Sequence, residues 1–335
     1  MKIIVDAMGG DNAPFEIVKG SIDAAKELGV NIVLTGKTEE IHKCIEKMGL
    51  SELPKGIEIV NATEVVEMDD DPAMICRRKS DSSMTVALNM LKADQGDAVV
   101  SAGSTGALLS GATLIVKRIK GIRRAALAPI IPSGSGHSMI IDCGANVECT
   151  PEYLVQFAIM GSNYFKYAMK NPSPRVGLLN NGTEKTKGTS LQIETYEKLE
   201  ALHAEGKINF VGNVEAKEAL KGACEVIVCD GYSGNILLKS IEGTASLIFS
   251  EMKNIMYKNV KTKLGALLIK KSLYGLKDKL SADKVGGTML LGISKPVIKA
   301  HGSSNAEAIR YAIRQAKAAA ESDMIAAVAS ALQAE

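Results

Sequence analysis

Short runs of aliphatic and β-branched residues alternate along the chain with longer segments in which apolar positions recur at helical spacing. The strand candidates are Lys2–Val5, Asn31–Leu34, Ile57–Val60, Asp97–Val100, Ala125–Ile131, Ser138–Asp142, Val176–Leu179, Ile208–Val211 and Val226–Cys229. The helix candidates are Pro14–Leu28, Thr38–Met48, Ser83–Ala93, Thr105–Lys117, Pro151–Lys170, Thr189–His203, Ser233–Tyr257 and Ser304–Glu321. This alternation predicts helical crossovers and a doubly wound, mostly parallel sheet in an α/β/α sandwich, with residues 1–335 forming one domain.

Polar residues mark several of the predicted helix starts. Thr150 stands before Pro151, which favours a first helical turn at that proline. Thr189 with Gln192, and Ser304 with Glu307, have the spacing of a capping box. We therefore expect helices to begin beside these residues.

Five strand candidates are followed by turns that combine glycine with Ser, Thr, Asn or Asp. These turns read "DAMGGDNAP" (6–14), "SAGSTGA" (101–107), "DCGAN" (142–146), "NNGTEKTKG" (180–188) and "DGYSGN" (230–235). Carboxyl ends of parallel strands share one edge of a sheet, and ligands bind there. Because glycine allows close approach and helix N-termini attract anions, we expect an anion site at this edge. The alternative is that strand-to-helix loops simply need glycine and caps.

Two of these turns carry further groups that suit phosphate. The first offers the main-chain amides and hydroxyls of Gly103, Ser104, Thr105 and Gly106. The second offers Asn180, Asn181, Lys185 and Lys187. Lysine is a compact point charge that suits phosphate, whereas neither turn has the glycine pattern of a nucleotide-binding loop with its lysine in place. His301 precedes a predicted helix and either donates to phosphate, acts as an acid, or has a structural role beside that helix.

Residues 251–280 predict a protruding, basic, amphipathic helical hairpin. Two apolar stripes flank the segment "LGALLI" (264–269), which we place at the tip, and residues 252–280 contain eight lysines and one acid. A lysine near an anionic bilayer contributes up to about 1 kcal/mol, so the pattern predicts reversible attachment to a membrane surface. The expected membrane residues are Leu264, Leu267, Leu268, Ile269, Lys270 and Lys271. Packing of the stripes in a dimer interface, or an acidic protein partner, would also explain them.

Composition narrows the possible partners. Forty Lys and Arg balance 38 Asp and Glu, and Trp is absent, so neither charge nor aromatic platforms favour nucleic acid. Six scattered cysteines and four separated histidines show no disulfide or metal spacing, and Cys143 is more typical of a small buried residue than of a nucleophile. No apolar run approaches the ~20 residues of a membrane span, so we expect a cytosolic protein.

Seven segments together resemble the bacterial phosphate acyltransferases of the PlsX family over nearly the whole chain. They are "DAMGGDNAP", "MDDDPAMICRRKSDSSM" (68–84), "SAGSTGA", "DCGAN", "LLNNGTEKTKG" (178–188), "CDGYSGN" (229–235) and "AHGSSN" (300–305). The resemblance implies conversion of acyl-acyl-carrier protein and inorganic phosphate into acyl phosphate for phospholipid synthesis. It also implies a homodimer, a fold similar to the isocitrate and isopropylmalate dehydrogenases, and work near a membrane where an integral glycerol-phosphate acyltransferase would use the product.

With such substrates the candidate residues take definite roles, and neither cofactor nor metal is expected. Phosphate would lie in the turn at residues 103–106, with Lys185 or Lys187 beside it. The oxyanion would be stabilised by Asn146, Asn180 or Asn181. His301 would protonate the leaving thiolate. Further substrate contacts are expected at Asp6, Gly9, Gly10, Asn12, Asp230, Ser233, Asn235 and Ser303. Carrier docking is expected at Arg77, Arg78 and Lys79, although Ser80 stands where another basic residue is expected. The rival functions are a dehydrogenase on the related fold and a non-catalytic membrane-surface scaffold.

Overall fold

The chain forms two mostly parallel sheets covered by helices. The computed structural model describes residues 1–67, 69–72, 74–134, 136–280 and 286–333, with side chains between 270 and 280 described only for Gly275. The strands are β1 Lys2–Asp6, β2 Asn31–Gly36, β3 Ile57–Asn61, β4 Ala98–Ser101, β5 Ala126–Ala128, β6 Ile130–Ser133, β7 Gly136–Ile141, β8 Arg175–Asn180, β9 Asn209–Glu215, β10 Val226–Val228, β11 Thr288–Leu291 and β12 Val297–Lys299.

The helices follow most of the predicted segments. They are α1 Phe15–Leu28, α2 Thr38–Lys47, α3 Ile75–Arg78, α4 Ser83–Lys92, α5 Thr105–Gly111, α6 Pro151–Asn163, α7 Ser190–Ala204, α8 Ala216–Ala219, α9 Gly231–Tyr257, α10 Val260–Leu280, α11 Ala306–Glu321 and α12 Met324–Gln333. Single π-helical turns, Ala112–Val116 and Tyr164–Ala168, extend α5 and α6. The capping box at Thr189 is confirmed, whereas α11 is capped by the Asn305 side chain instead of Ser304.

The sheets have the orders β3-β2-β1-β4-β12-β11-β5 and β6-β7-β10-β8-β9. Among the described strands, β11 runs opposite to the rest of the first sheet and β6 runs opposite to the rest of the second. Successive residues of β1 enter different cores: Ile3 packs with α1 and α11, whereas Ile4 packs with α4 and α5. Helices therefore cover both faces, and the predicted α/β/α class is confirmed.

The prediction of one sheet with one carboxyl edge was wrong. The predicted strand Ala125–Ile131 is divided at Pro129 into β5 and β6, which join different sheets. Proline has no N–H to donate to a ladder, so a break in strand pairing is expected there. The five glycine turns are consequently shared between two sheets.

The helical hairpin also differs from its predicted form. Its helices meet at Lys258 and Asn259, where Asn259 and Thr262 exchange hydrogen bonds that start α10. The segment 264–269 therefore lies inside α10 and forms no tip. Among the described residues, no helix is both long enough and apolar enough to cross a membrane.

Candidate active site

Three neighbouring strands of the first sheet place polar side chains at the same level of its carboxyl edge. Asp6 of β1 pairs in register with Ser101 of β4, and Ser101 pairs with Lys299 of β12. All three side chains are buried in a region where the strands are otherwise apolar. Polar groups buried together at a strand edge must satisfy one another, and their contacts define the floor of the candidate site.

Asp6 and Ser101 form the acidic part of this floor. The Ser101 hydroxyl donates to Asp6 Oδ2 at 2.6 Å and accepts from the Gly103 N–H at 3.1 Å. Burial raises the pKa of Asp6, and the hydrogen bonds from Ser101 and neighbouring groups oppose that rise. Asp6 was expected to contact substrate, but its contacts with the Ser101 hydroxyl and the Met8 N–H hold the glycine turn in position.

Lys299 is a buried cation that sequence reasoning missed. Its side chain is 8% exposed, and its Nζ donates to the carbonyl oxygen of Ala102 at 3.3 Å and to that of Ala300. Burial lowers the pKa of this amine to about 8, although the negative charges of Asp6 and Asp11 oppose the shift. The only sequence signal was a lysine that ends the apolar run "PVIK".

Close backbone packing brings two further loops to this edge. A Cβ on Gly9 would lie 2.7 Å from the Gly103 nitrogen, so only glycine fits there. The Asp11 N–H donates to the Gly302 carbonyl at 2.8 Å, and Asn12 Nδ2 donates to the Ser303 carbonyl at 3.0 Å. The turns that begin at residues 6, 101 and 300 therefore form one group, as the sequence predicts for the first two of them.

The start of α5 supplies main-chain donors to this group. The first main-chain bond that closes a helical turn runs from Leu108 N–H to the Ser104 carbonyl, which leaves the amides of Ser104, Thr105, Gly106 and Ala107 without an acceptor inside the helix. The Gly103 amide is already bound to Ser101. Of the four amides predicted to bind phosphate, Gly103 to Gly106, three therefore remain available at the start of α5.

His301 stands exposed beside this group. Its Nδ1 lies 2.8 Å from the Ser303 hydroxyl and accepts from the Ser303 N–H, for which the distance is 3.2 Å. Acceptance at Nδ1 places the proton of a neutral imidazole on Nε2. The histidine is thus oriented by Ser303 and offers a donor at its outer nitrogen.

A second group forms at the carboxyl edge of the second sheet, around buried Asp142. Its Oδ1 accepts from the N–H groups of Leu127 and Cys143, and its Oδ2 accepts from the N–H of Asn146 at 2.6 Å. The Asn146 carboxamide donates to the Ala125 carbonyl at 2.8 Å and to Asp142 at 3.1 Å. Both amide hydrogens of Asn146 are therefore engaged, and in this arrangement the side chain is not a free oxyanion donor.

The start of α9 closes over the same group. The Gly231 N–H donates to the Asn146 carbonyl at 2.8 Å, and a Cβ on Gly231 would lie 2.6 Å from that oxygen. Asp230 caps the helix by accepting from the N–H and hydroxyl of Ser233, both at 2.8 Å. Asn235 stays exposed near Gly144. Asp230 and Ser233 thus have a local helix-capping role in addition to any contact with substrate.

Cys143 is buried beside Asp142. Burial raises the pKa of its thiol well above the ordinary value for cysteine, and the negative charge of Asp142 adds to that rise. A thiol nucleophile needs a lowered pKa, so this environment favours a packing role, as the sequence predicts.

The turn with the two asparagines is largely bound to itself. Asn180 Nδ2 donates to the Lys187 carbonyl at 3.0 Å, and Asn180 Oδ1 accepts from the Asn181 N–H at 2.8 Å. Lys185 is exposed, pairs with Glu200 of α7 and lies 5.4 Å from the centroid of the Tyr196 ring. This places Lys185 against α7, whereas the prediction directed it toward phosphate.

The residues expected to dock a carrier divide into two kinds. Arg77 and Arg78 of α3 are exposed, but Lys79 is half-buried and donates to Asp70 at 2.5 Å and to the Val65 carbonyl at 2.8 Å. Met68 and Ala73 of the same segment lie outside the described residues. Lys79 therefore fixes the loop and is not available as a docking charge.

The expected membrane residues lie on α10. Leu264, Leu267 and Leu268 are 65%, 69% and 84% exposed, and Ile269 is about half exposed. The side chains of Lys270 and Lys271 lie outside the described residues.

Comparison with known proteins gives matches over almost the full length. The fatty acid synthesis protein family matches residues 1–327. A phosphate acyltransferase of Oceanobacillus iheyensis is 48% identical over 318 residues, which cover 95% of this chain and 93% of that protein. A phosphate acyltransferase of Thermoanaerobacter pseudethanolicus is 47% identical over 326 residues, which cover 97% and 95%.

Solved structures share the architecture at low sequence identity. A phosphotransacetylase from Streptococcus pyogenes has a TM-score of 0.67 at 19% identity and covers 96% of this chain and 94% of its own. A 4-hydroxythreonine-4-phosphate dehydrogenase from Klebsiella pneumoniae has a TM-score of 0.56 at 11% identity and covers 96% and 99%. At such identities these likenesses show a common fold alone, and they include the dehydrogenase-like fold that the sequence predicts.

Proposed function

The chain belongs to the fatty acid synthesis protein family, and we propose that it transfers a fatty acyl group from acyl carrier protein to inorganic phosphate, which gives an acyl phosphate for phospholipid synthesis. Its identity to phosphate acyltransferases over nearly the whole chain supports the reaction class. The observation that carries the proposal is the glycine turn with free first-turn amides beside a buried lysine.

Phosphate is bound, in this proposal, at the start of α5. The amides of Ser104, Thr105 and Gly106 and the hydroxyls of Ser104 and Thr105 donate to its oxygens, because amides at a helix start carry partial positive charge. Lys299 adds a cation from below the same turn, since its Nζ lies against the Ala102 carbonyl. Anion binding would stabilise its ammonium form, which burial otherwise disfavours.

Lys185 or Lys187 completes the phosphate site from the other sheet. The ion pair between Lys185 and Glu200 joins side chains that are 62% and 50% exposed, and such pairs contribute only about 0–1 kcal/mol. Because this ion pair is so weak, a multiply charged phosphate can compete with the Glu200 carboxylate for the Lys185 ammonium group. Leaving Glu200 therefore costs the Lys185 side chain little free energy.

The chemistry needs orientation and charge stabilisation more than an activated nucleophile. A phosphate oxygen attacks the thioester carbonyl carbon, and Asn181 and the remaining N–H of Asn180 donate to the oxyanion that forms. Collapse of the tetrahedral intermediate breaks the C–S bond, and His301 in its imidazolium form gives the Nε2 proton to the departing thiolate and becomes a neutral imidazole, with the Ser303 hydroxyl beside Nδ1. The products are acyl phosphate and the carrier thiol.

In this proposal, the helical hairpin places the reaction at a membrane surface. We assign the exposed apolar face of α10 to an anionic membrane surface and that of α9 to a second copy of the chain. An acyl phosphate released at that surface is close to an integral glycerol-phosphate acyltransferase that consumes it. The proposal makes the protein cytoplasmic and peripherally membrane-associated.

The decisive experiment mixes acyl-acyl-carrier protein, phosphate and the protein, and measures thioester loss together with acyl phosphate formation. We expect both to occur at equal rates and only with phosphate present. Thioester loss without phosphate would indicate a thioesterase, and no loss would indicate a scaffold. Reduction of NAD or a requirement for Mg²⁺ would indicate a dehydrogenase, although no cluster of three or more metal-ligating side chains occurs among the described residues.

A further inference from the structure

Five exposed cations occupy the segment between the π-helical end of α5 and the start of β5. They are Lys117, Arg118, Lys120, Arg123 and Arg124, and we call residues 117–124 the basic segment. The basic segment contains no acidic residue, although the whole chain has a net charge of only +2. Such a concentration of one sign creates a local field that attracts an acidic partner.

The basic segment is held in a fixed conformation. Ile119 and Ile122 are buried, so the segment is anchored to the core at two points. Gln156 of α6 accepts from the Arg123 N–H at 2.8 Å and donates to the Gly121 carbonyl at 3.0 Å. A charged surface that is already ordered loses little conformational entropy when a partner binds.

These charges are not neutralised within the part of the chain that the structure describes. None of the five side chains lies within 4.0 Å of a carboxylate oxygen among those residues. Arg118 donates to the Arg123 carbonyl, and Arg124 lies over the Tyr153 ring at 5.8 Å. Glu152, on the neighbouring helix, is already paired with Lys198 at 3.4 Å. The field of the basic segment therefore points to solvent.

A shallow cavity adjoins the basic segment between α6 and α7. Its volume is about 330 Å³, Arg123 stands at it beside the paired Glu152 and Lys198, and Val155, Ala201 and Leu202 give it apolar lining. Cations beside an apolar cleft suit a protein surface that combines carboxylates with an apolar side chain.

We propose that the basic segment, with this cavity, is the docking surface for the acidic carrier protein that presents the acyl thioester. This inference rests on the proposed function and names where its protein substrate binds. Ala125, the residue after the basic segment, accepts a hydrogen bond from Asn146, so a carrier docked here lies beside the second group of site loops. The binding surface and the site are thereby connected through one residue.

The basic segment and the hairpin differ in how many apolar side chains are exposed beside their cations. On α10, the lysines accompany Leu264, Leu267 and Leu268, which are mostly exposed and suit a bilayer. Around the basic segment, both isoleucines are buried and Leu114 is the exposed aliphatic residue of the preceding turn. A soluble acidic protein therefore fits the basic segment better than a membrane does.

The test is Lys120→Glu combined with Arg123→Glu. We expect the KM for acyl-acyl-carrier protein to rise about tenfold or more, because like charges across an interface oppose binding. The kcat, and the kinetics with a small acyl thioester that lacks the carrier, should stay near wild type. In the wild type, the KM for the carrier should rise steeply with added salt, whereas that for the small thioester should not.

The matched control is Lys43→Glu with Lys47→Glu on α2, which makes the same charge change elsewhere and should leave the carrier KM unchanged. An unchanged carrier KM in the basic-segment variant would overturn the proposal, and so would a larger rise with Arg77→Glu and Arg78→Glu. Loss of binding to vesicles of anionic phospholipid with normal carrier kinetics would reassign the surface to the membrane. Wild-type protein that consumes no thioester would instead disprove the proposed function.

Discussion

At the scale of single residues, burial decides which charges take part in the site. Lys299 is almost enclosed and is held by two carbonyl oxygens, whereas Lys185 is mostly exposed and paired with a carboxylate. Sequence reasoning selected Lys185 and missed Lys299, because glycine and asparagine neighbours are visible in a sequence and burial is not. The structure adds Lys299 to the candidates and leaves the role of Lys185 for experiment.

Lys299 should make phosphate binding depend on pH. Because burial lowers its pKa to about 8, the amine loses its charge as pH rises through that value. The KM for phosphate should then rise by about tenfold per pH unit above that value, since only the charged fraction binds. Lys299→Arg should remove this rise, and Lys299→Met should raise the KM by about tenfold or more below pH 8, where the wild-type amine is charged, with the difference from wild type shrinking at higher pH.

Steady-state kinetics from pH 6 to pH 10 would measure this dependence, and the titration of phosphate itself cancels in the ratio of wild type to Lys299→Arg. Thermal unfolding would confirm that both variants fold. An identical pH profile for wild type and Lys299→Arg would show that the amine does not bind phosphate.

Lys185 can be tested through its own ion pair. Lys185→Ala should lower the kcat for acyl phosphate formation by about 10²–10³, as loss of one charge-stabilising group typically does. Glu200→Ala removes the same ion pair but leaves the lysine, so it should retain most of the activity. Equal and small losses in both variants would mean that Lys185 only fixes its loop to α7.

At the scale of helices and strands, sequence periodicity predicted long elements better than short ones. The helices α1, α2, α4 and α7 occur close to their predicted bounds, because each buries one apolar face. The strands β11 and β12 were not predicted, since runs of four and three residues carry too little pattern. The turn of the hairpin was misplaced because apolar residues 264–269 resemble a tip, whereas Asn259 starts the second helix.

The site loops also show how far a single sequence can predict the structure. The glycine turns were found from composition, and their contacts within each group are as expected for loops at one sheet edge. Their division between two sheets was not predictable from periodicity, because it depends on pairing across Pro129. Long-range pairing of this kind leaves no local signal in a single sequence.

The exposed face of α10 gives a prediction for membrane attachment. Leu267→Glu with Leu268→Glu should abolish binding to vesicles of anionic phospholipid, because each burial of a leucine in lipid contributes about 1.5–3 kcal/mol. Activity on soluble substrate should be spared. A flotation assay measures the binding, and Val211→Glu with Leu220→Glu, two exposed apolar positions away from the hairpin, is the control. Unchanged flotation of the α10 variant would return that face to protein packing.

At the scale of the whole molecule, the exposed apolar side chains of α9 indicate a surface that a partner covers. Leu247, Ile248, Ile255 and Tyr257 are between 52% and 63% exposed along one long helix. Soluble monomers rarely leave contiguous apolar patches of such extent, and a second copy of the chain is the simplest cover for a helix that projects from the body. With this assignment, α9 mediates dimerisation and α10 mediates membrane attachment.

This division predicts opposite behaviour for variants on the two helices. Ile248→Lys with Ile255→Lys should convert a dimer to a monomer in sedimentation velocity, because a twofold interface meets each substitution twice and buries the added charge. Leu267→Glu with Leu268→Glu on α10 should remain dimeric while losing vesicle binding. If the α9 variant stays dimeric, the two copies of the chain meet at another surface. If the wild type is monomeric, the apolar face of α9 contacts the membrane together with α10. The α9 variant should then fail to float with vesicles.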